Sequence, residues 1–120
     1  MRYLHTMIRV FDLDRSLKFY CDVLGFKLTR RNEHENGRFT LAFLQAPGGG
    51  EGELELTYNW DQKEPYDLGK GYGHMAFAVE SFDEVGKRLQ DNGLNWSWGP
   101  KGSMAFIEDP DGYEIELLIR

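Results

Sequence analysis

The sequence has little cysteine, no long apolar run and no excess of positive charge. Its single cysteine, Cys21, excludes an internal disulfide and is typical of a reducing compartment such as the cytoplasm. No apolar stretch approaches the roughly 20 residues that a membrane helix needs, so we expect no membrane span. The formal net charge of -6 disfavours nonspecific binding to nucleic acid. The N-terminus leads directly into strand-like sequence, so we expect no signal peptide.

The remaining composition is that of a small folded domain. The 120 residues are 41% hydrophobic and 28% charged, which is typical of a globular chain. This length fits one compact domain or two very small fused units. We predict a single domain over residues 1–120, with a first repeat over about residues 1–60, a linker over about 61–71 and a second repeat over about 72–120.

Both halves show the same order of elements. The first half has strand-like patterns at residues 4–10, 26–31, 39–44 and 53–60, with a helix after the first of them. The second half has strand-like patterns at residues 74–79, 94–98, 104–108 and 113–119, with a helix in the same place and a turn at 99–102. We therefore predict an α+β fold of two βαβββ repeats, whose mixed sheets curl around a shared metal cleft.

Two histidines and two glutamates occupy corresponding places in these repeats. His5 and His74 lie in the first strand of each half, and Glu55 and Glu116 lie in the fourth. Taken singly, each has an ordinary structural explanation. A lone histidine in a strand is more often structural than a ligand, and strand alternation alone would place both glutamates on a solvent face. Taken together, two imidazoles and two carboxylates that converge on one point would form a metal site.

This set of ligands favours particular ions and a particular chemistry. Mixed nitrogen and oxygen donors suit a divalent ion such as Ni²⁺, Co²⁺, Zn²⁺ or Fe²⁺. Four protein ligands leave two positions of an octahedral sphere open for water or for two adjacent substrate oxygens. A metal that held both oxygens of an α-hydroxycarbonyl would lower the pKa of its C–H bond and stabilise the resulting enediolate. A carboxylate ligand that left the metal could act as the base.

Short motifs spread over nearly the whole chain indicate a family. They are LHTMIRV at 4–10, DRSLKFY at 14–20, LG at 24–25, ELTYNW at 55–60, GYGH at 71–74, DPDGY at 109–113 and IEL at 115–117. With these motifs the chain resembles glyoxalase I of the short bacterial type, a family of the vicinal oxygen chelate superfamily. The runs ELTYNW and GYGH are the more specific ones, whereas DPDG is shared across the superfamily.

The resemblance implies an activity and a ligand set. Such enzymes isomerise the hemithioacetal of methylglyoxal and glutathione to S-D-lactoylglutathione. The resemblance matches His5, Glu55, His74 and Glu116 to the metal ligands. It matches Glu116 to the principal base and Glu55 to its counterpart for the other face of the hemithioacetal. It also implies a homodimer with sites at the interface, one His–Glu pair coming from each chain, and a preference for Ni²⁺ or Co²⁺ over Zn²⁺.

Four further residues are candidates for binding the thiol. The resemblance matches Arg9 and Asn59 to positions that hold carboxylate and amide groups of glutathione. Arg9 lies four residues after His5 and Asn59 four after Glu55, so each shares a strand face with a candidate ligand. Lys70 and Lys101 lie in predicted loops where the family often has basic residues that meet glutathione carboxylates.

The alternatives are other proteins of the same superfamily. The short loop at residues 99–103 leaves open the same reaction with a different thiol, such as trypanothione. An epimerase or a thiol transferase acting on fosfomycin would use the same scaffold. An extradiol dioxygenase uses two histidines and one glutamate, so Glu55 argues against it. A metal-free antibiotic-binding module lacks the ligand set that is intact here.

Overall fold

The computed structural model describes all 120 residues, which divide into two compact units, Met1–Tyr66 and Asp67–Arg120. This division falls within the predicted linker. The elements of the first unit are β1 (His5–Arg9), α1 (Leu13–Leu17), a π-helical segment (Lys18–Val23), β2 (Lys27–His34), β3 (Phe39–Gln45) and β4 (Glu53–Asn59). Those of the second unit are β5 (His74–Val79), α2 (Phe82–Asp91), β6 (Trp98–Lys101), β7 (Met104–Glu108) and β8 (Glu114–Ile119).

Each unit contains one four-stranded mixed sheet of the same topology. The strand order is β1-β4-β3-β2 in the first unit and β5-β8-β7-β6 in the second. The first and fourth strands of each unit are parallel neighbours, and the other neighbours are antiparallel. The predicted α+β class and the βαβββ order of both halves are therefore confirmed. None of the helical segments is long and apolar enough to cross a membrane.

Side chains cap the N-terminal ends of α1 and α2. The Asp12 carboxylate accepts a hydrogen bond from the backbone N–H of Arg15, and the Ser81 hydroxyl accepts one from that of Asp83. Each cap satisfies a backbone donor that the first helical turn leaves without a partner. After the π-helical segment the chain turns at Gly25, whose φ of 77° is a backbone conformation that glycine adopts without strain.

Strand alternation separates the core of each sheet from the candidate ligands. In the first unit, Ile8 of β1 lies opposite Leu56 of β4, and both are buried. In the second unit, Ile115 and Leu117 of β8 are buried in the same way. Residues of opposite parity on these strands point to the other sheet face, because successive side chains alternate. The candidate ligands therefore lie on the face opposite the aliphatic core of their own sheet.

The prediction for the second strand of the second half was wrong. Residues 94–98 were predicted as the strand and 99–102 as a turn, but the strand is Trp98–Lys101 and the turn follows it. β6 lies at the edge of its sheet. Proline is tolerated in an edge strand, because its missing N–H can face the side that has no neighbouring strand. The register is irregular between Trp98 and Lys101, where Gly99 has a φ of 75°.

The tip of the β2–β3 hairpin carries an ion pair. Nε and Nη2 of Arg38 donate to the two carboxylate oxygens of Asp61 at 2.6 and 2.9 Å. Arg38 has a φ of 57°, which is uncommon outside glycine, so this pair restrains a strained backbone position. The hydrogen bonds from Arg38 also lower the pKa of the Asp61 carboxyl below its ordinary value.

This lowered pKa predicts how stability depends on pH. A carboxyl whose pKa is lower in the folded state stabilises the protein above its unfolded-state pKa, and that stabilisation disappears as the pH falls through the folded-state value. We expect Asp61→Asn to unfold at lower urea than the wild type at neutral pH, with a difference that shrinks below pH 3.8, the ordinary pKa of aspartate. Glu35→Gln in the same hairpin is the control. A difference that persisted at about pH 2 would contradict the prediction.

Candidate metal centre

The first unit brings His5 and Glu55 together. β1 and β4 run parallel, and Met7 lies opposite Glu55. His5 is two residues before Met7, so its side chain lies on the same sheet face as that of Glu55. Nε2 of His5 is 3.2 Å from Oε2 of Glu55. The His5 side chain is 40% exposed, whereas that of Glu55 is only 10% exposed. The imidazole is thus accessible from solvent, and the carboxylate beneath it is nearly buried.

The second unit repeats this arrangement with His74 and Glu116. β5 and β8 are parallel with Ala76 opposite Glu116, which is the register of the first unit. Nε2 of His74 is 3.1 Å from Oε2 of Glu116, and their side chains are 43% and 15% exposed. The correspondence predicted from sequence spacing therefore extends to the atoms of the two pairs.

One aromatic ring supports each pair. Phe43 of β3 lies opposite Glu55, and its ring packs edge to face against His5 with centroids 5.9 Å apart. Phe106 of β7 lies opposite Glu116 and packs in the same way against His74 at 5.6 Å. Neither ring was predicted from the sequence. The repeat of the two halves could have indicated them, because the third strand of each half contains the dipeptide Ala-Phe, at 42–43 and at 105–106.

The spacing of each pair fits two ligands of one ion. Two donor atoms that lie about 2.1 Å from a metal and at a right angle to each other are about 3.0 Å apart. The nitrogen-to-oxygen distances of 3.2 and 3.1 Å are close to this value. No group of three or more His, Cys, Asp or Glu side chains that could hold a metal occurs in the single chain. Each unit thus offers half of the predicted four-ligand set.

The candidates for binding the thiol lie on both units. Arg9 is exposed and shares the β1 face of His5, and Asn59 shares the β4 face of Glu55. The side-chain amide of Asn59 donates to the hydroxyl of Tyr66 at 2.8 Å, which orients its oxygen away from that contact.

The two candidate lysines belong to the second unit. Lys70 is exposed in a turn four residues before His74, as predicted. Lys101 is also exposed, but it is the last residue of β6 and not part of a loop, so its predicted location was wrong. The cause is the edge strand described above, which continues through Gly99 and Pro100.

Comparison with known proteins identifies the family. A model of the Glyoxalase/Bleomycin resistance protein/Dioxygenase superfamily matches residues 2–117. The lactoylglutathione lyase of Salmonella typhimurium is 49% identical over 98% of this chain and 92% of its own length. The probable lactoylglutathione lyase of Synechocystis sp. is 48% identical over 98% of this chain and 95% of its own length.

A solved structure resembles this chain as well. The trypanothione-dependent glyoxalase I of Leishmania major is 43% identical, with a TM-score of 0.88, and the match covers 99% of this chain and 86% of that one. Because these similarities extend over nearly the whole sequence, the chain belongs to the glyoxalase I family of the Glyoxalase/Bleomycin resistance protein/Dioxygenase superfamily.

Proposed function

We propose that this protein isomerises the hemithioacetal of methylglyoxal and glutathione to S-D-lactoylglutathione, and thereby removes methylglyoxal. The observation that carries the proposal is the His–Glu pair that recurs at the same register in both units. Relatives that are nearly half identical over almost the whole chain are named lactoylglutathione lyases, which supports the same reaction here. The protein would act in the cytoplasm, where the reducing glutathione pool lies.

The metal would be held by both pairs together. His5, Glu55, His74 and Glu116 supply two nitrogens and two oxygens, a set that suits Ni²⁺ or Co²⁺ and also accepts Zn²⁺. A bound divalent ion would act as a Lewis acid toward the two substrate oxygens. Because the resemblance to the glyoxalase I family implies it, we propose a homodimer in which each site combines one His–Glu pair from each of two protomers.

The proton transfer requires a carboxylate beside the substrate carbons. An oxygen of Glu116 would accept the proton from the carbon that bears sulfur and return it to the adjacent carbonyl carbon. The hydroxyl proton moves from the first oxygen to the second, so that the first carbon becomes the thioester carbonyl and the second an alcohol. The change needs no external oxidant or reductant. Glu55 would serve the opposite face of the hemithioacetal, since it occupies the equivalent position in the first unit.

The remaining candidates would hold the thiol. The guanidinium of Arg9 carries a fixed positive charge and two parallel donors, which suit a carboxylate of glutathione. The Asn59 side chain offers an amide oxygen to a peptide N–H, while its nitrogen is already bonded to Tyr66. Lys70 and Lys101 supply further positive charge in the second unit.

A different thiol is the second candidate. The glyoxalase I of Leishmania major, which resembles this chain in fold and sequence, depends on trypanothione. Four intact candidate ligands, by contrast, argue against an extradiol dioxygenase and against a metal-free binding module. The choice of thiol therefore belongs in the first experiment.

Removal and return of the metal test the proposal. We expect that stripping the protein with a chelator abolishes thioester formation from methylglyoxal and glutathione, and that Ni²⁺ or Co²⁺ restores it better than Zn²⁺. The absorbance of the thioester bond measures the rate, with trypanothione assayed in parallel. Formation of no thioester with any metal or either thiol, in a protein that still binds metal, would overturn the proposed reaction.

A further inference from the structure

A cation lies on the same sheet face as His5 and Glu55. Arg30 of β2, Phe43 of β3 and Glu55 of β4 form one cross-strand row, since Arg30 lies opposite Phe43 and Phe43 opposite Glu55. The guanidinium carbon of Arg30 is 3.7 Å from the centre of the Phe43 ring. Arg30 thus extends over the strand that separates it from Glu55. Two strand spacings amount to about 10 Å between backbones, a distance that an arginine and a glutamate side chain can bridge together.

A second carboxylate holds this cation. Nη1 of Arg30 donates to Oε1 of Glu53 at 3.1 Å, and the hydroxyl of Thr29 donates to Oε2 of Glu53 at 2.6 Å. The register of β2 is irregular between Leu28 and Arg30, so Thr29 is the extra residue of a bulge. Two donors from β2 are therefore fixed on the carboxylate of Glu53.

Glu53 and Glu55 are alternative carboxylates for Arg30. They lie two residues apart on β4 and share the face on which the guanidinium lies. Pairing with arginine would occupy the oxygens of Glu55 that we assign to the metal, because a guanidinium binds a carboxylate through two parallel hydrogen bonds. We propose that Glu53 keeps Arg30 from pairing with Glu55, so that the Glu55 carboxylate stays accessible to the metal. This inference rests on the proposed metal site and makes Glu53 a positioning residue.

The second unit contains a natural comparison. Glu114 occupies the position of Glu53, since it lies opposite His74 as Glu53 lies opposite His5. Trp98 occupies the position of Arg30, and its ring packs edge to face on Phe106 at 5.9 Å. The second unit therefore has the same aromatic support but an indole where the first has a cation. Because Trp98 and not an arginine occupies this position, Glu114→Gln is a matched control.

A double-mutant cycle tests the inference through metal affinity. We expect Glu53→Gln to weaken Ni²⁺ binding about tenfold, because the released guanidinium competes for Glu55. Arg30→Gln should change the affinity less than about twofold in the wild type but restore it about tenfold in the Glu53→Gln background. Competition with a coloured chelator at fixed pH and salt measures the dissociation constants. Glu114→Gln should leave the affinity within about twofold of the wild type.

The outcomes separate the inference from the proposed function. If Arg30→Gln strengthens binding equally in both backgrounds, the charges act additively through space and the inference is wrong. Equal affinity of Glu53→Gln and the wild type would also overturn it. If the wild type itself binds no Ni²⁺, the proposed metal site fails and this inference fails with it. Glu53→Asp, which keeps the charge, should bind more tightly than Glu53→Gln, and unfolding in urea checks that each variant is folded.

Discussion

Glu116→Gln is expected to lower the isomerase rate by about 10³-fold while the fold and much of the metal are retained. The amide has nearly the shape of the carboxylate and keeps one oxygen that can face a metal. It has no basic oxygen that can accept a proton from carbon. Because Glu116 lies mostly buried, with its carboxylate 3.1 Å from the imidazole of His74, an isosteric side chain should occupy the same place. The turnover number, the metal content and the urea unfolding curve measure these three properties separately.

Glu114→Gln provides the control for this experiment. Glu114 lies two residues earlier on β8 and on the same face, so its replacement removes the same charge from the same surface. We expect it to keep the turnover number of the wild type. If Glu116→Gln turned over at the wild-type rate, Glu116 would not be the base, and Glu55→Gln would then be the variant to assay. Loss of both activity and metal in Glu116→Gln would contradict the expected retention of metal and would show that Glu116 is needed to hold it.

The sequence was sufficient for the architecture because the two halves repeat the same order of elements. Turn residues such as Gly25 and Gly93 interrupt the patterns at comparable distances from His5 and His74, which places the candidate ligands at corresponding positions. Strand alternation then determines which residues share a face. The structure adds the register, which brings Met7 opposite Glu55 and Ala76 opposite Glu116. The equivalence of the two pairs depends on that register.

The burial of Glu55 could not be predicted from its own strand. In the sequence Leu-Glu-Leu, alternation places the glutamate on a solvent face, yet Glu55 is 8% exposed. β4 lies between β1 and β3, which bring His5 and Phe43 over the carboxylate from both sides. This burial arises from neighbouring strands, and a pattern within one strand contains no information about them.

The Arg30–Glu53 pair illustrates the same limit. The two residues are separated by 23 positions, and their contact depends on a bulge in β2 that turns Thr29 and Arg30 toward β4. Nothing in the local sequence marks this irregularity. In the second unit the local sequence was misleading. Gly99 and Pro100 are typical of a turn, but they lie in a strand at the edge of the sheet, where proline is tolerated.

His5→Ala is expected to weaken metal binding at least about 100-fold, since even residues that only orient metal ligands contribute 10- to 100-fold. The substitution removes one of the two donor atoms that the first unit offers and leaves Glu55 without the imidazole 3.2 Å away. His34→Ala is a matched control, because His34 is an exposed histidine of the same unit and its ring stacks on Phe39 at 4.6 Å. Competition with a chelator measures both affinities under the same conditions.

His74→Ala should show the same loss as His5→Ala, because the two histidines hold equivalent positions in their units. A site assembled from both pairs needs each imidazole, so neither pair alone should retain the wild-type affinity. Unchanged occupancy in His5→Ala would disprove the ligand assignment. A loss in His74→Ala but not in His5→Ala would limit the metal to the second pair. Equal losses in both, with none in His34→Ala, would support the assignment of both imidazoles as metal ligands.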